Sequence, residues 1–379
     1  MNYSINGSRR VRTNTGLSLT IIIGVILLGT APLAASPPSK LQLRLGYKAL
    51  GESNIYHAHL DSQEVADQTN ALAGILSWEV RQTSLLTHTA EIYGDADLYM
   101  KHSNRNKTSY GFRYSPELRY GRIGRIAVTV DISRRDKDLL NDAGEVLPQT
   151  LKKNIITLEA ANRNKVGQLR IDQAFTFNRY NYDDVYMNGV RQRSYSYDKE
   201  IWQFRVGYEL WGRLEARAAF ETEKRFYDQR LTLSLDKLSS HTRNFRENTF
   251  DLQLAYRFLK NNWIAFETAY GRRSDNYQNF YGFDVREHTV AMTFKPNRRL
   301  NTELSFGYRT KDYPNYYTGN IGQLHRVSID YATFKVQQEF RLTQRQTLML
   351  YLRNFNKVSN DPSFDYHDLS AGVGVEVKI

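Results

Sequence analysis

Hydropathy with a period of two residues is the feature that most limits what this chain can become. From Tyr366 to Ile379 the sequence reads YHDLSAGVGVEVKI, in which Leu369, Ala371, Val373, Val375, Val377 and Ile379 alternate with Ser370, Gly372, Gly374, Glu376 and Lys378. Successive side chains of an extended strand point to opposite faces, so this stretch has one apolar and one polar face. The pattern recurs throughout. Leu41, Leu43, Leu45 and Tyr47 oppose Gln42, Arg44 and Lys48, while Leu72, Leu76, Trp78 and Val80 share a face. Tyr110, Phe112, Tyr114, Leu118 and Tyr120 lead into a turn at Gly121 to Gly124, and Ile126, Val128, Val130 and Ile132 lead out of it.

Connections between these segments alternate in length. Tight turns are expected near Asn162 to Gly167, Trp211 to Gly212, Lys260 to Asn262, Pro296 to Arg298 and Thr343 to Arg345, the size of hairpin loops. Longer polar connections are expected near 57–68, 137–151, 182–198, 228–245, 313–326 and 359–365. The count comes to about 16 strands, an even number that returns the chain to its starting side. Around Ala332 to Phe334 the alternation slips phase, which reads as a β-bulge.

A mean hydropathy of -0.59 is polar for a membrane protein. A barrel removes the conflict, because only alternate residues meet lipid. Closure is then obligatory, since an open sheet edge in hydrocarbon leaves N–H and C=O groups unpaired. The expected fold is all-β: a transmembrane antiparallel up-and-down β-barrel over 36–379, its first and last strands paired. A soluble sandwich or propeller explains the alternation, but not the 8 prolines in 379 residues or strand faces packed with arginine and glutamate. Trp78, Tyr120, Trp202, Tyr208, Phe258, Tyr270, Phe294 and Tyr308 fall toward strand ends, where interfacial girdles put aromatic rings.

The first 35 residues carry an address. Arg9, Arg10 and Arg12 precede an apolar run from Leu17 to Leu28, followed by small residues from Ala31 to Ser36 and then Pro37 and Pro38. This is the layout of a secretory signal peptide, with cleavage expected near Ala35. The formal charge of the whole chain is +12, and without the three arginines it is about +9. The absence of cysteine excludes disulfides, thiolate metal sites and thiol nucleophiles.

With apolar residues toward lipid, the alternate set lines the interior. The expected pore-lining residues are Arg44, Arg113, Glu117, Arg119, Arg125, Arg170, Arg205, Arg213, Glu215, Arg217, Arg257, Glu303, Arg309 and Arg341, with Asp131, Asp172, Glu209, Glu221, Asp251, Glu267 and Glu339 among them. Opposite charges on neighbouring strands pair and stiffen the wall. Basic residues outnumber acidic ones, which gives a water-filled interior a field that favours anions. A barrel of this size leaves an aqueous channel unless a loop enters, and 182–198 and 228–245 are the connections long enough to do so.

A secretory leader, a Tyr- and Arg-rich alternating chain and motifs such as LRLGYK near the start together resemble the outer-membrane β-barrel porins of Gram-negative bacteria. The apolar last residue of the final strand is similar to the closing strand that the barrel assembly machinery reads. The resemblance implies a cell outer-membrane location, outer-membrane lipids as partners and passive passage of polar solutes without chemistry or cofactor, while the basic balance adds lipopolysaccharide phosphates as a partner and anions as the favoured solutes. Some members of that group accompany polysaccharide export proteins, so an exopolysaccharide conduit is the alternative, and a non-conducting surface barrel acting through its loops is a third reading. Nucleic acid is not an expected partner.

Candidate catalytic and metal residues are few. His88 and His288 fall on strands, on the lipid-facing side, without a serine and an asparagine placed beside either, so a packing role is expected rather than hydrolysis. His57 and His59 with Glu52 and Asp61 have metal-ligand chemistry on an outer loop, where such residues are ordinarily solvated.

Overall fold

A computed structural model describes residues 39–54, 65–121, 123–140, 146–183, 186–187, 190–191, 196–233, 238–276, 279, 281–318 and 325–379. The leader, and His57, His59 and Asp61, lie outside the described residues. The strands are β1 (Ser39–Glu52), β2 (Asp67–Arg81), β3 (Leu86–Tyr99), β4 (Lys107–Tyr120), β5 (Gly124–Leu140), β6 (Val146–Val166), β7 (Leu169–Tyr182), β8 (Tyr186–Met187), β9 (Val190–Arg191), β10 (Tyr197–Leu210), β11 (Leu214–Leu233), β12 (Leu238–Leu259), β13 (Asn262–Asp275), β14 (Phe283–Phe294), β15 (Leu300–Thr318), β16 (His325–Arg341), β17 (Gln346–Ser359) and β18 (Tyr366–Lys378). Strands β8 and β9 form a small hairpin inside one connection, and the other 16 close into a single barrel. Every barrel strand is antiparallel to its neighbours, and β1 closes on β18 from Arg44↔Lys378 to Glu52↔Ser370. On its other edge β1 pairs with β2 from Ser39↔Val80 to Glu52↔Asp67.

One end of the barrel is made of tight turns, each with an identifiable device. Gly121, Gly167 and Gly212 adopt φ of 64°, 60° and 65°, where a β-carbon is disfavoured. In three other turns a side-chain oxygen accepts the stray backbone N–H groups: Thr83 from Leu85 and Leu86, Asn297 from Arg299 and Leu300, and Thr343 from Arg345 and Gln346. In an outer-membrane barrel of the usual orientation such turns form the periplasmic end and the longer connections the extracellular one, and the two ends are named accordingly.

Several expected boundaries move outward. The turn expected from Asn162 shrinks to Gly167 and Gln168, since β6 stays paired with β7 as far as Val166↔Leu169. Much of the expected connections 137–151, 228–245 and 313–326 is strand, because β5, β6, β11, β12, β15 and β16 continue as long hairpins beyond the membrane. No bulge interrupts Ala332 to Phe334: β16 pairs in continuous register with β15 from Phe340 back to Ser328, and with β17 from Arg341 to Ile329. The slip has a different cause. Tyr331, Ile329 and Val327 face inward at the top of β16, whereas Ala332, Phe334 and Val336 face outward below, so the apolar face changes sides while the backbone does not.

Outward-facing rings fall into two girdles. Trp78, Tyr120, Tyr208, Tyr256 and Phe294 lie within about three residues of the periplasmic turns, and Tyr47, Tyr110, Trp202, Phe250, Tyr270 and Tyr308 lie six to ten residues higher. That separation corresponds to roughly 20 Å of height at the usual strand tilt, close to the apolar band of an outer membrane. Trp202, Tyr270 and Tyr308 therefore mark the upper interface from mid-strand, because their strands overshoot it.

Above the upper girdle the outer surface turns ionic. Arg134 pairs with Asp183 at 2.8 Å, Arg179 with Asp198 at 2.9 Å and Asp228 at 2.6 Å, and Ser328 donates to Asp312 at 2.7 Å. The buried apolar residues Ile155, Phe245, Phe283, Val285, Val327 and Ile329 gather at this height on the inner face.

Candidate functional site: the lumen

Register fixes which side chains face inward, since paired residues share a face and the outward face is given by exposed rings and leucines. On this basis Arg44, Arg113, Glu117, Arg119, Arg125, Arg170, Arg205, Glu215, Arg217, Arg257, Glu303, Arg309 and Arg341 lie on the inner face. Arg213 stands in the turn between β10 and β11, where it lines a cavity of about 250 Å³ with Glu209, Arg217 and Arg257.

Many of these charges neutralise one another, across neighbouring strands or two residues along one strand. Glu91, Arg113 and Asp131 stand side by side on β3, β4 and β5, with Arg113 3.2 Å from Glu91 and 3.0 Å from Asp131. The Tyr93 hydroxyl also donates to Asp131, at 2.8 Å. Glu117 holds Arg119 at 2.9 Å and Arg125 at 3.3 Å, Glu215 holds Arg217 at 2.8 Å, and Glu287 faces Arg309 at 2.8 Å. Such pairs stiffen the wall and contribute little net field.

The charge left over is unevenly distributed. Near the periplasmic end a cavity of about 670 Å³ is lined by Arg119, Arg125, Arg163, Lys165, Arg170 and Arg205, against only two carboxylates, Glu159 and Asp172. Among the described residues no carboxylate lies within ion-pairing distance of Arg163, Lys165 or Arg205. Farther round, Glu221, Asp251, Glu267 and Glu287 face the lumen from β11 to β14.

Above this charged wall stands a collar that was not anticipated from the sequence. Inward rings meet from strand to strand: Tyr180 with Tyr197 at 4.5 Å between centroids, Tyr197 with Tyr227 at 4.9 Å, Tyr227 with Phe245 at 5.9 Å and Phe245 with Tyr281 at 6.2 Å. The series resumes with Phe283 and Tyr313 at 5.5 Å and with Tyr331, Phe355 and Tyr366 at 6.1 and 5.4 Å. Cations lie over these rings: Arg225 over Tyr197 at 5.1 Å, Arg243 over Tyr281 at 3.7 Å, Arg273 over Phe283 at 4.6 Å and Lys153 over Tyr180 at 5.2 Å. Tyr99, with Arg105 and Lys107 near its ring, extends the collar to β3. A cation over a ring face is attracted by the ring quadrupole.

Of the two loops considered as constrictions, 228–245 is largely the paired strands β11 and β12, and 182–198 contains β8 and β9. His88 faces outward and bonds the Tyr114 hydroxyl at 2.8 Å and Gln82 at 2.9 Å, and His288, also outward, is 3.1 Å from the Thr268 hydroxyl. No serine is among these hydrogen-bond partners. Among the described residues no cluster of three or more His, Asp or Glu has metal-binding geometry.

No protein-family model matches the sequence, and no curated protein matches it. Solved structures do match. A loop-deletion mutant of OmpT, an outer membrane protein of Vibrio cholerae, aligns with a TM-score of 0.50 at 8% identity over 91% of this chain and 100% of that one. OmpF of Salmonella typhi, in a complex with daunomycin, aligns with a TM-score of 0.50 at 12% identity over 91% and 98%. At such identities the likeness shows the fold, which is that of the outer-membrane β-barrels, and the apolar belt between the two girdles is the part that sits in the bilayer.

Proposed function

We propose that the barrel is a porin-like channel through which polar solutes pass by diffusion, with a preference for anions. A cylinder of 16 strands is too wide for its inner side chains to fill, which leaves an aqueous path through the charged wall. The observation that carries the preference is the cavity where Arg163, Lys165 and Arg205 lack carboxylate partners, since unneutralised charge in a confined space raises the local concentration of counter-ions. Single-channel recording tests both parts. The expected result is discrete conductance steps and, in asymmetric potassium chloride, a reversal potential of the sign for chloride over potassium. The triple substitution Arg163→Gln, Lys165→Gln, Arg205→Gln is expected to move that potential toward cation preference. Absence of steps removes the channel, and cation preference in the unaltered protein removes the role given to the arginines.

A second reading, a conduit for a secreted polysaccharide, is favoured by the collar, whose rings offer faces to sugar rings. It requires that cells lacking the protein lose an exported polymer.

A further inference from the structure

The collar is not uniform, and the sector from β14 to β18 differs from the rest in how its cations are partnered. Its arginines are neutralised: Arg309 pairs with Glu287 at 2.8 Å, and Arg353 bonds Asp368. Its lysines are not. The Lys311 ammonium lies 4.5 Å from the Phe283 ring centroid and 5.7 Å from that of Tyr331. The Lys357 ammonium lies 5.2 Å from Phe364 and 5.3 Å from Tyr366. Neither has a carboxylate within ion-pairing distance among the described residues, and Lys357 is only 6% exposed.

Burial strips hydration from both ammonium groups, and the carboxylates that act on them, Asp365 on Lys357 and Glu247 and Glu287 on Lys311, stand beyond ion-pairing distance, so the place has a standing demand for an anion. Geometry restricts which anion. The Lys311 ammonium reaches the Tyr331 ring, and Lys357, across from Tyr331 in the β16–β17 register, sends its ammonium to Phe364 and Tyr366, so the two cations stand at the two ends of one stretch of rings. Tyr331, Phe355 and Tyr366 continue as a row with 6.1 and 5.4 Å between centroids. A small hydrated ion gains nothing from that row. A solute whose charge is carried on a flat or ring-shaped body gains both the ammonium contact and burial against the rings.

We propose that this sector is a binding site for a carboxylate carried on a six-membered ring, with Lys311 and Lys357 receiving the anion and Tyr331 and Phe355 bearing on the ring. The inference deepens the channel reading and rests on it, naming the class of solute that pauses at the outer mouth before entering the charged wall below. Two sources share this chemistry, aromatic acids and uronic acids, and benzoate and glucuronate represent them.

The experiment is calorimetric titration of the full barrel in detergent with sodium benzoate, sodium glucuronate, sodium acetate, inorganic phosphate and benzyl alcohol. The expected result is a dissociation constant for benzoate or glucuronate at least tenfold below those of acetate, phosphate and the neutral ring. The tighter of the two identifies the source. The pair Lys311→Gln, Lys357→Gln is expected to lose that advantage, and Lys357→Met, whose thioether stays at home among rings, is expected to lose most of it. Arg286→Gln, on the outer face of the same sector, removes one charge and is expected to change nothing. Acetate or phosphate binding as tightly as the ring acids, or undiminished binding in Lys357→Met, overturns the site. The two proposals fail separately: ring acids bound by a barrel without conductance steps overturn the channel alone, and conductance without such binding overturns the site alone.

Discussion

The lower and upper halves of the wall are built from the same strands by opposite rules. On β12, Glu247, Asp251, Gln253 and Arg257 face inward while Phe250, Leu252, Leu254 and Tyr256 face outward, and a few residues higher Phe245 is inward and buried. On β16 the inward series runs Arg341, Glu339, Gln337, Lys335 below and Tyr331, Ile329, Val327 above. At membrane height the surroundings are hydrocarbon, so the apolar face must point out and the ionised face in. Above the bilayer the surroundings are water, and the sheet there carries ion pairs on its outer face and, on its inner face, packed rings interleaved with paired charges such as Lys199–Glu223–Arg225 and Glu247–Arg273. The strand keeps its period of two throughout. What changes is the medium outside it.

The largest effect expected to test this contrast comes from the collar. Phe245→Ala removes a buried ring from a chain of ring contacts, and the expected loss is about 3 kcal/mol of unfolding free energy, read as a lower urea midpoint in detergent or lipid. A change indistinguishable from that of an exposed position means the collar is not a packed core, and the contrast between the halves breaks.

A smaller effect belongs to the ionic wall. Asp131→Ala leaves Arg113 with Glu91 alone and strips the Tyr93 hydroxyl of its acceptor, at an expected cost of about 2 kcal/mol. Asp131→Asn, which keeps an acceptor, sharpens the contrast if it recovers part of that loss. The smallest effect is expected outside, where Arg179→Ala deletes two ion pairs open to water. That change is expected to cost about 0.5 kcal/mol, diminishing with added salt. A salt-independent loss there points to packing of the arginine stem rather than charge.

The inversion explains which parts were legible in the primary structure. Between the girdles, alternation such as Leu41 to Tyr47 or Ile126 to Ile132 names both the strand and its lipid face, and the inward arginines follow from it. Above, rings and charges occur on both faces, so segments such as 313–318 read as polar connections although they belong to β15. A local signal was nevertheless present. Tyr197 and Lys199, Arg225 and Tyr227, Arg243 and Phe245, Lys311 and Tyr313, and Phe355 and Lys357 each set a cation and a ring two residues apart, on one face, beside a long connection. Individually such pairs are ordinary; closure of the sheet makes them a collar.

What the order of residues determined alone is local: a period of two, a run of turn formers at one end of each hairpin, and thus a barrel of about 16 strands with its charges on one face. Which charges neutralise each other, which lysines are left facing rings, and where apolar side chains exchange inside for outside were decided by tertiary structure. Those outcomes depend on strands brought together from distant parts of the chain, and on where the bilayer stops along each of them, and neither quantity is written in any single segment.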